Sequence, residues 1–292
     1  MTESIITVVG SLNMDLVARS PHIPQPGETI IGGELYTLPG GKGANQAVAA
    51  ARLGAATAMV GRVGQDAFAA PLLENLAAAN IDYTFVQQDA ANATGAALIV
   101  VDDAGENSIV VTPGANHQLS PADVVAAEAV IAGAKVLLLQ LEIPLESVIK
   151  AAQLAQARGV TVILNPAPAQ ALPPELLHAV DILVPNETET EILTEMPVNN
   201  QTEAEAAAAN LRDQGVATVI LTLGSRGALL VDGNQRALIP PFSITPVDTT
   251  AAGDAFAGGL AVALAEGRAL PEAVRWGNAA GALAATKLGA QP

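Results

Sequence analysis

Beyond Ser120, short apolar runs alternate with helix-forming stretches, and this alternation limits the fold more than any other feature of the chain. Residues 136–139, 160–164, 181–184 and 219–223 read as buried strands. Helical stretches at 120–131, 145–158, 202–214, 251–264 and 271–285 separate or follow them, with another opening at Asn186. Ser120-Pro121 is a helix-start signature, an N-cap followed by proline at the first helical position. Strands spaced by helices of this length predict a mostly parallel sheet with helices on both faces. Half the residues are hydrophobic but only 2% are aromatic, so the core must be built from Ala, Val, Leu and Ile. A chain of 292 residues can bury such a core as one α/β unit.

The first 115 residues break this rhythm. Residues 5–10 form an apolar run ending in glycine, and Asn13 and Asp15 follow at its carboxyl end, the edge where open α/β sheets bind ligands. Pro21, Pro24 and Pro26 then punctuate an extended stretch in which 29–31 reads as a strand fragment. An Ala-rich helix runs from Lys42 to Leu53 and stops at Gly54. A strand at 57–63 follows, and Asp66 reads as the cap of a helix to Ala79. Residues 84–112 are β-like again, with 94–101 and 108–112 as a pair. Two β-rich inserts, about 14–38 and 84–113, thus predict a small accessory sheet beside the main layers. A later hairpin is expected at 228–239.

Charge and composition exclude several functions. The net charge is −16, from 13 basic and 29 acidic residues, which opposes binding to nucleic acid or anionic membranes. Any phosphate site must therefore be strongly local. With no cysteine, thiolate chemistry is absent, and His22, His117 and His178 are too scattered to suggest a zinc motif. Met1-Thr2-Glu3-Ser4 has no basic leader character, and no apolar run is long enough to span a bilayer, so a cytoplasmic protein is expected.

The strongest chemical signal is Val247-Asp248-Thr249-Thr250-Ala251-Ala252-Gly253-Asp254 ahead of an apolar helix. Small residues there let a ligand reach the unpaired N–H groups of a helix start, which form an anion hole. Asp254 in the first turn can take a proton from a hydroxyl attacking a phosphate held there. It also fits as an ordinary first-turn acid favoured by the helix dipole. In Gly40-Gly41-Lys42-Gly43-Ala44-Asn45-Gln46, a glycine pair allows tight backbone beside a small ligand. Lys42 and Asn45 then share one helical face. The segment is neither a Walker motif nor a dinucleotide fingerprint, since Gln46 replaces the third glycine. Asn13 and Asp15 read as a sugar clamp or a turn, and Glu142 as a crevice acid or a loop acid before Pro144. Asn186 and Glu189 read as Mg²⁺-water ligands or as a helix capping pair. Thr222-Leu223-Gly224-Ser225-Arg226-Gly227 reads as a nucleotide-hugging turn or a plain hairpin.

Taken together with Asn165-Pro166-Ala167-Pro168-Ala169, these segments resemble the ribokinase family of carbohydrate and nucleoside kinases, in order and at family spacing, from about Ile6 to Pro292. The resemblance implies a three-layer α/β/α domain with a β-sheet lid, and a homodimer formed through the lids. It also implies transfer of the γ-phosphate of ATP to a sugar hydroxyl, O5 for ribose. By the same resemblance Asp254 is the base, with anion-hole N–H groups from Ala251, Ala252 and Gly253. Asn13, Asp15, Gly41, Lys42, Asn45 and Glu142 hold the sugar. Asn186, Thr222, Gly224, Ser225, Gly227 and Asn278 surround ATP, and Glu189 serves Mg²⁺. Asp248, Thr250, Ala284, Lys287 and Gly289 match positions that hold an activating monovalent cation, K⁺. The family pattern runs on past Gly289-Ala290-Gln291-Pro292 with a serine of the cation shell and a final helix, so a shortened C-terminus is expected. Deoxyribose, fructose or a nucleoside are rival substrates, and low aromatic content weighs against the last. From other classes, an idle sugar-binding regulator is the main alternative. A dinucleotide oxidoreductase is disfavoured because its fingerprint is missing.

Overall fold

The computed structural model describes residues 5–291. The leader reading of residues 1–4 and the expected shortening at Pro292 lie outside the described residues. The chain runs β1 (Ile6–Val9), β2 (Asn13–Arg19), β3 (Leu35–Gly40), α1 (Lys42–Arg52), β4 (Thr57–Gly64), α2 (Ala69–Ala78) and β5 (Asp82–Asp89). It continues through β6 (Gly95–Val101), β7 (Asn107–Thr112), α3 (Pro121–Ala126), α4 (Glu128–Gly133), β8 (Val136–Leu139), α5 (Leu145–Ala157) and β9 (Thr161–Leu164). After α6 (Pro174–Leu177) come β10 (Ile182–Leu183), α7 (Glu187–Thr194), α8 (Gln201–Asp213) and β11 (Thr218–Thr222). The hairpin β12 (Ala228–Val231) and β13 (Arg236–Ile239) precedes α9 (Ala252–Ala265) and α10 (Leu270–Ala285).

Among the described residues, a nine-stranded sheet has the order β13-β12-β11-β10-β9-β8-β1-β4-β5. It is parallel except where β12 pairs with β11 and β13. Its central strands are apolar on both faces, as strands covered by helices must be. Val9, Leu137, Leu139, Val162 and Leu164 face a core shared with α3, α4, α5 and α8. Ile6, Val8, Val136, Leu138 and Ile163 face the other core, with α1, α2, α9 and α10. This is the three-layer α/β/α fold that the alternation predicts. The strand order reverses between β1 and β8, since β4 and β5 lie on one side of β1 and β8 to β11 on the other. Open α/β sheets bind ligands outside the carboxyl ends of their strands at such a switch point.

A second sheet, β3-β2-β6-β7, grows directly from the carboxyl end of β1. Its strands alternate between two faces. Asp15, Ala97 and Val111 are cross-strand partners on the face toward the switch point, while Leu16, Leu98 and Val110 form the outer row. Four sequence expectations change here. Residues 82–89 are the edge strand of the large sheet, paired in parallel with β4, so the second insert contributes only β6 and β7 to the lid. Residues 29–31 form no strand, because prolines on one side and Gly32-Gly33 on the other leave no continuous ladder. The stretch 120–131 breaks into α3 and α4 at Ala127, whose ψ of 8° departs from helical geometry. Phe68 occupies the N-cap of α2, while Asp66, two residues earlier, accepts from the Phe68 N–H at 3.1 Å and also from the backbone and hydroxyl of Thr94, pinning the start of β6.

Candidate active site

The carboxyl ends of the strands place most of the singled-out residues together. Ser11 and Asn13 follow β1, Gln140 and Glu142 follow β8, Asn165 follows β9, and Asn186 follows β10. Gly41 bends the chain from the lid into α1 with φ 89°, and a Cβ there would lie 2.6 Å from the Asn13 backbone nitrogen. Only glycine permits that turn. It carries Lys42 and Asn45 to the switch point.

Two adjoining cavities meet at the start of α9. The first, of about 630 Å³, is lined by Asn13, Asp15, Gly41, Lys42, Asn45, Glu142, Thr250, Ala251 and Asp254, with Ile109 and Val111 of the lid above. Every residue expected to hold a sugar lies on it. The second, of about 700 Å³, is lined by Asn186, Thr222, Gly224, Ser225, Gly227, Ala252, Gly253 and Asn278, with Phe242 and Ile244 as an apolar wall. Every residue expected around ATP except Glu189 lies on it. The turn 251–254 is the partition between the two.

Asp254 is buried, and both its oxygens are held. Asn45 Nδ2 donates to Oδ2 at 2.9 Å, and Gln46 Nε2 donates to Oδ1 at 3.1 Å. Ala251 is the N-cap of α9 in the left-handed region, φ 57°. The Ala252 N–H turns back to the Thr249 carbonyl at 3.1 Å and so leaves the expected anion-hole set. The N–H groups of Ala251 and Gly253 have no acceptor among the described residues.

The first cavity is rich in carboxylates. Asp15 is buried, and burial first, then the charges of Glu142 and Asp254, pushes its carboxyl up to about 7. Lys42 is the counter-cation; the Asp254 charge raises its pKa first, with Glu142 and Glu189 adding, against burial. Glu142 Oε2 accepts from the Ser11 hydroxyl, from the Lys42 backbone N–H at 3.2 Å, and weakly from Asn13 Nδ2 at 3.4 Å. Asn13 is oriented by Asn116, which is buried; its Nδ2 donates to Asn13 Oδ1 at 2.7 Å and to the Leu12 carbonyl. Such a cavity suits a neutral ligand with many hydroxyl donors and repels an anion.

Beside the second cavity, Asn186 and Glu189 form the reciprocal capping box of α7, and Glu189 lines neither cavity. Burial raises the Glu189 pKa against the hydrogen bond from the Asn186 backbone. Asn278 Nδ2 donates to the carbonyls of Ile239 and Pro240. Gly227 has φ 94°, and a Cβ there would lie 2.2 Å from the Ile239 carbonyl. Asp248 ties two loops together, accepting from the N–H groups of Thr250 and Gly289, each at 2.9 Å. Burial opposes ionisation of Asp248, but the Thr250 hydroxyl together with these two N–H groups outweighs it and lowers its pKa. The N–H of Lys287 donates to the carbonyl of Ala284 in the second of these loops.

Ser11, Asn116 and Gln140 went unnoticed in the sequence, and Gln46 counted only as a missing glycine. Their spacing to the cavity residues, 104 positions between Leu12 and Asn116 for example, carries no local pattern. One available signal was the run of polar residues immediately after each buried strand.

Residues 4–292 match the family model described as pfkB family carbohydrate kinase. The chain is 46% identical over 286 residues to ribokinase of Haemophilus influenzae, covering 98% of this chain and 94% of that one. It is 41% identical over 254 residues to deoxyribokinase of Salmonella typhi, covering 87% and 83%. Ribokinase of Arabidopsis thaliana, solved in complex with ribose and ATP, superposes with TM-score 0.91 at 36% identity, covering 100% of this chain and 95% of the other. With its fold, its two cavities and these likenesses, the chain belongs to the pfkB family of carbohydrate kinases.

Proposed function

We propose that this protein transfers the terminal phosphoryl group of ATP to the 5-hydroxyl of ribose. The observation that carries the reading is Asp254 on the partition between a carboxylate-rich cavity and a helix N-terminus. The 46% identity to a ribokinase and the ribose–ATP complex of a structural relative support the choice of sugar and nucleotide.

Ribose occupies the first cavity, its hydroxyls donating to Asp15, Glu142 and Asn13 and accepting from Lys42 and Asn45. The triphosphate lies in the second cavity, with the adenine against Phe242 and Ile244 and the turn from Thr222 to Gly227 beneath it. Asn186, Ser225 and Asn278 contact the nucleotide. Asp254 accepts the proton of the attacking hydroxyl. The N–H groups of Ala251 and Gly253 then stabilise charge on the transferred group, where donors fixed in place act most strongly. Phosphoryl transfer needs positioning and charge stabilisation more than covalent help, and the partition supplies both.

The oxygen donors of Asn186 and Glu189 at the end of β10 fit Mg²⁺ held through water, because that ion keeps several waters when bound. Bound there, Mg²⁺ would neutralise phosphate charge. The Asp248 carboxylate and the backbone carbonyls around Thr250, Ala284, Lys287 and Gly289 are hard oxygen donors that fit K⁺. Such an ion would brace the loop that carries the anion hole. The outer lid row of Leu98 and Val110, 50% and 58% exposed, supports a homodimer formed through the lids.

The test is ATP turnover over ribose, deoxyribose and fructose, with and without potassium, for the native chain and Asp254→Asn. Turnover highest with ribose, lost by about 10³-fold or more in Asp254→Asn with ribose affinity kept within a few-fold, is the expected result. Tight ribose binding without ADP release by the native chain would leave a sugar-binding regulator instead.

A further inference from the structure

Beneath Asp254 runs a chain of buried amides that the phosphoryl-transfer reading does not use. Gln46 on α1 and Gln140 after β8 are both 0% exposed. Gln140 Nε2 donates to Gln46 Oε1 at 2.6 Å. Gln46 Nε2 donates to Asp254 Oδ1 at 3.1 Å and to Asn165 Oδ1 at 3.3 Å. Asn165 Nδ2 in turn donates to the Val184 carbonyl at 3.0 Å.

The direction of this chain is set at its ends. The Val184 carbonyl only accepts, so Asn165 must turn its Nδ2 toward it and its Oδ1 toward Gln46. The Asp254 carboxylate also accepts. Gln46 must therefore offer Nε2 to both, which leaves Oε1 requiring a donor. Gln140 is that donor. Its own Oε1 is buried without a hydrogen-bond partner among the described residues. A Cβ on Gly10 would lie 2.0 Å from that oxygen, so the strand end keeps a glycine to admit it. An unpaired buried oxygen is unfavourable, and an apolar side chain of similar size would avoid it. Packing alone therefore does not explain the amide; its donation to Gln46 does.

We infer that Gln140 is a positioning residue for catalysis, acting through Gln46 to hold the carboxylate of Asp254 in the orientation that accepts the sugar proton. This rests on Asp254 being the base. With Asn45 on Oδ2 and Gln46 on Oδ1, the plane of the carboxylate is fixed from both sides. Without Gln140 the buried Gln46 Oε1 has no donor, and the Gln46 amide is no longer braced against Asp254 Oδ1.

The test compares Gln140→Leu, Gln140→Glu and Asp254→Asn with the native chain, by kcat, ribose KM and thermal melting at pH 5.5 and 8.5. Gln140→Leu should lower kcat about tenfold or more while ribose KM stays within about twofold, as for a displaced catalytic group. Gln140→Glu carries the sharper signature. Once ionised at the upper pH, its carboxylate accepts only and repels Gln46 Oε1, which pushes the Gln46 amide away from Asp254. At pH 5.5 a buried glutamic acid is protonated, donates to Gln46 Oε1 and restores the native order. Its activity relative to the native chain should therefore rise about tenfold between pH 8.5 and 5.5. The charged groups around this site are Asp254 on α9, Lys42 on α1, Asp15 on β2, Glu142 beyond β8 and Glu189 on α7; all are common to variant and native chain, so dividing by the native activity removes their own titration, that of Asp15 near 7 included. Unchanged kcat in Gln140→Leu overturns the relay, as does a Gln140→Glu activity ratio equal at the two pH values while its melting temperature falls against the native chain at pH 8.5, the mark of a buried carboxylate that has ionised. If Gln140→Leu does not fold, the near-isosteric Gln140→Glu ratio decides alone. An inactive Asp254→Asn beside unimpaired Gln140 variants overturns the relay only; an active Asp254→Asn overturns the base and the relay with it.

Discussion

Replacing Asp15 by Asn should make the protein more stable at alkaline pH while weakening sugar binding. The Asp15 carboxyl is 9% exposed, and a Cβ on Gly40 would lie 2.2 Å from its Oδ2, so backbone crowds it. Burial, then Glu142 and Asp254, raise its pKa from 3.8 to about 7, with only Lys42 pulling the other way. An acid whose folded pKa is raised destabilises the fold when ionised. The penalty is absent below 3.8, grows as pH rises toward 7, and levels off above it. At about 1.4 kcal/mol per pH unit, it increases by roughly 2.5 kcal/mol between pH 5 and pH 8. Water in the cavity reduces this, so half that value is a fair lower bound. For a chain of this length, 1 kcal/mol moves the melting temperature by about 2 °C. The melting temperature of Asp15→Asn minus that of the native chain should therefore increase by about 2–5 °C from pH 5 to pH 8. Differential scanning calorimetry without ligand measures this directly. Ribose should reverse the order, because its hydroxyls donate to two charged oxygens of the native carboxylate but to only one neutral oxygen of the amide. A difference that is flat or shrinks with pH would refute the view that Asp15 is held ionised at the fold's expense for the ligand.

Three further outcomes follow from contacts already described. Asn116→Ala should raise ribose KM about tenfold with a smaller effect on kcat, because Asn13 loses the donor that orients it; steady-state kinetics tests this. Gly227→Ala should raise ATP KM and lower the melting temperature, since its φ of 94° and the Ile239 carbonyl at 2.2 Å both oppose a side chain; nucleotide titration and melting measure the two effects. Leu98→Glu together with Val110→Glu should convert a lid-paired dimer to monomer in light scattering, and an unchanged mass would exclude this face as the interface.

The alternation of apolar runs and helices determined the three layers, because a strand apolar on both faces has no stable place except between helices. The glycine pair before Lys42, the small residues before Asp254 and the polar residues after β1 and β8 were legible too, since each obeys a local backbone or capping rule. The edge strand at 82–89 and the break at Ala127 were not, because pairing partners and small departures in ψ leave no mark in composition. Nor was the direction of the Ala252 N–H, which depends on a turn closed by Thr249. Above all, only the tertiary structure decided what surrounds Asp254. Gln46, Gln140 and Asn165 stand 94 and 119 positions apart along the chain, and they become one network because the switch point brings β8 beside β1 and packs α1 across them. Hydrogen bonds reach only about 3 Å, so residues without a shared local pattern become partners only once the sheet order is set.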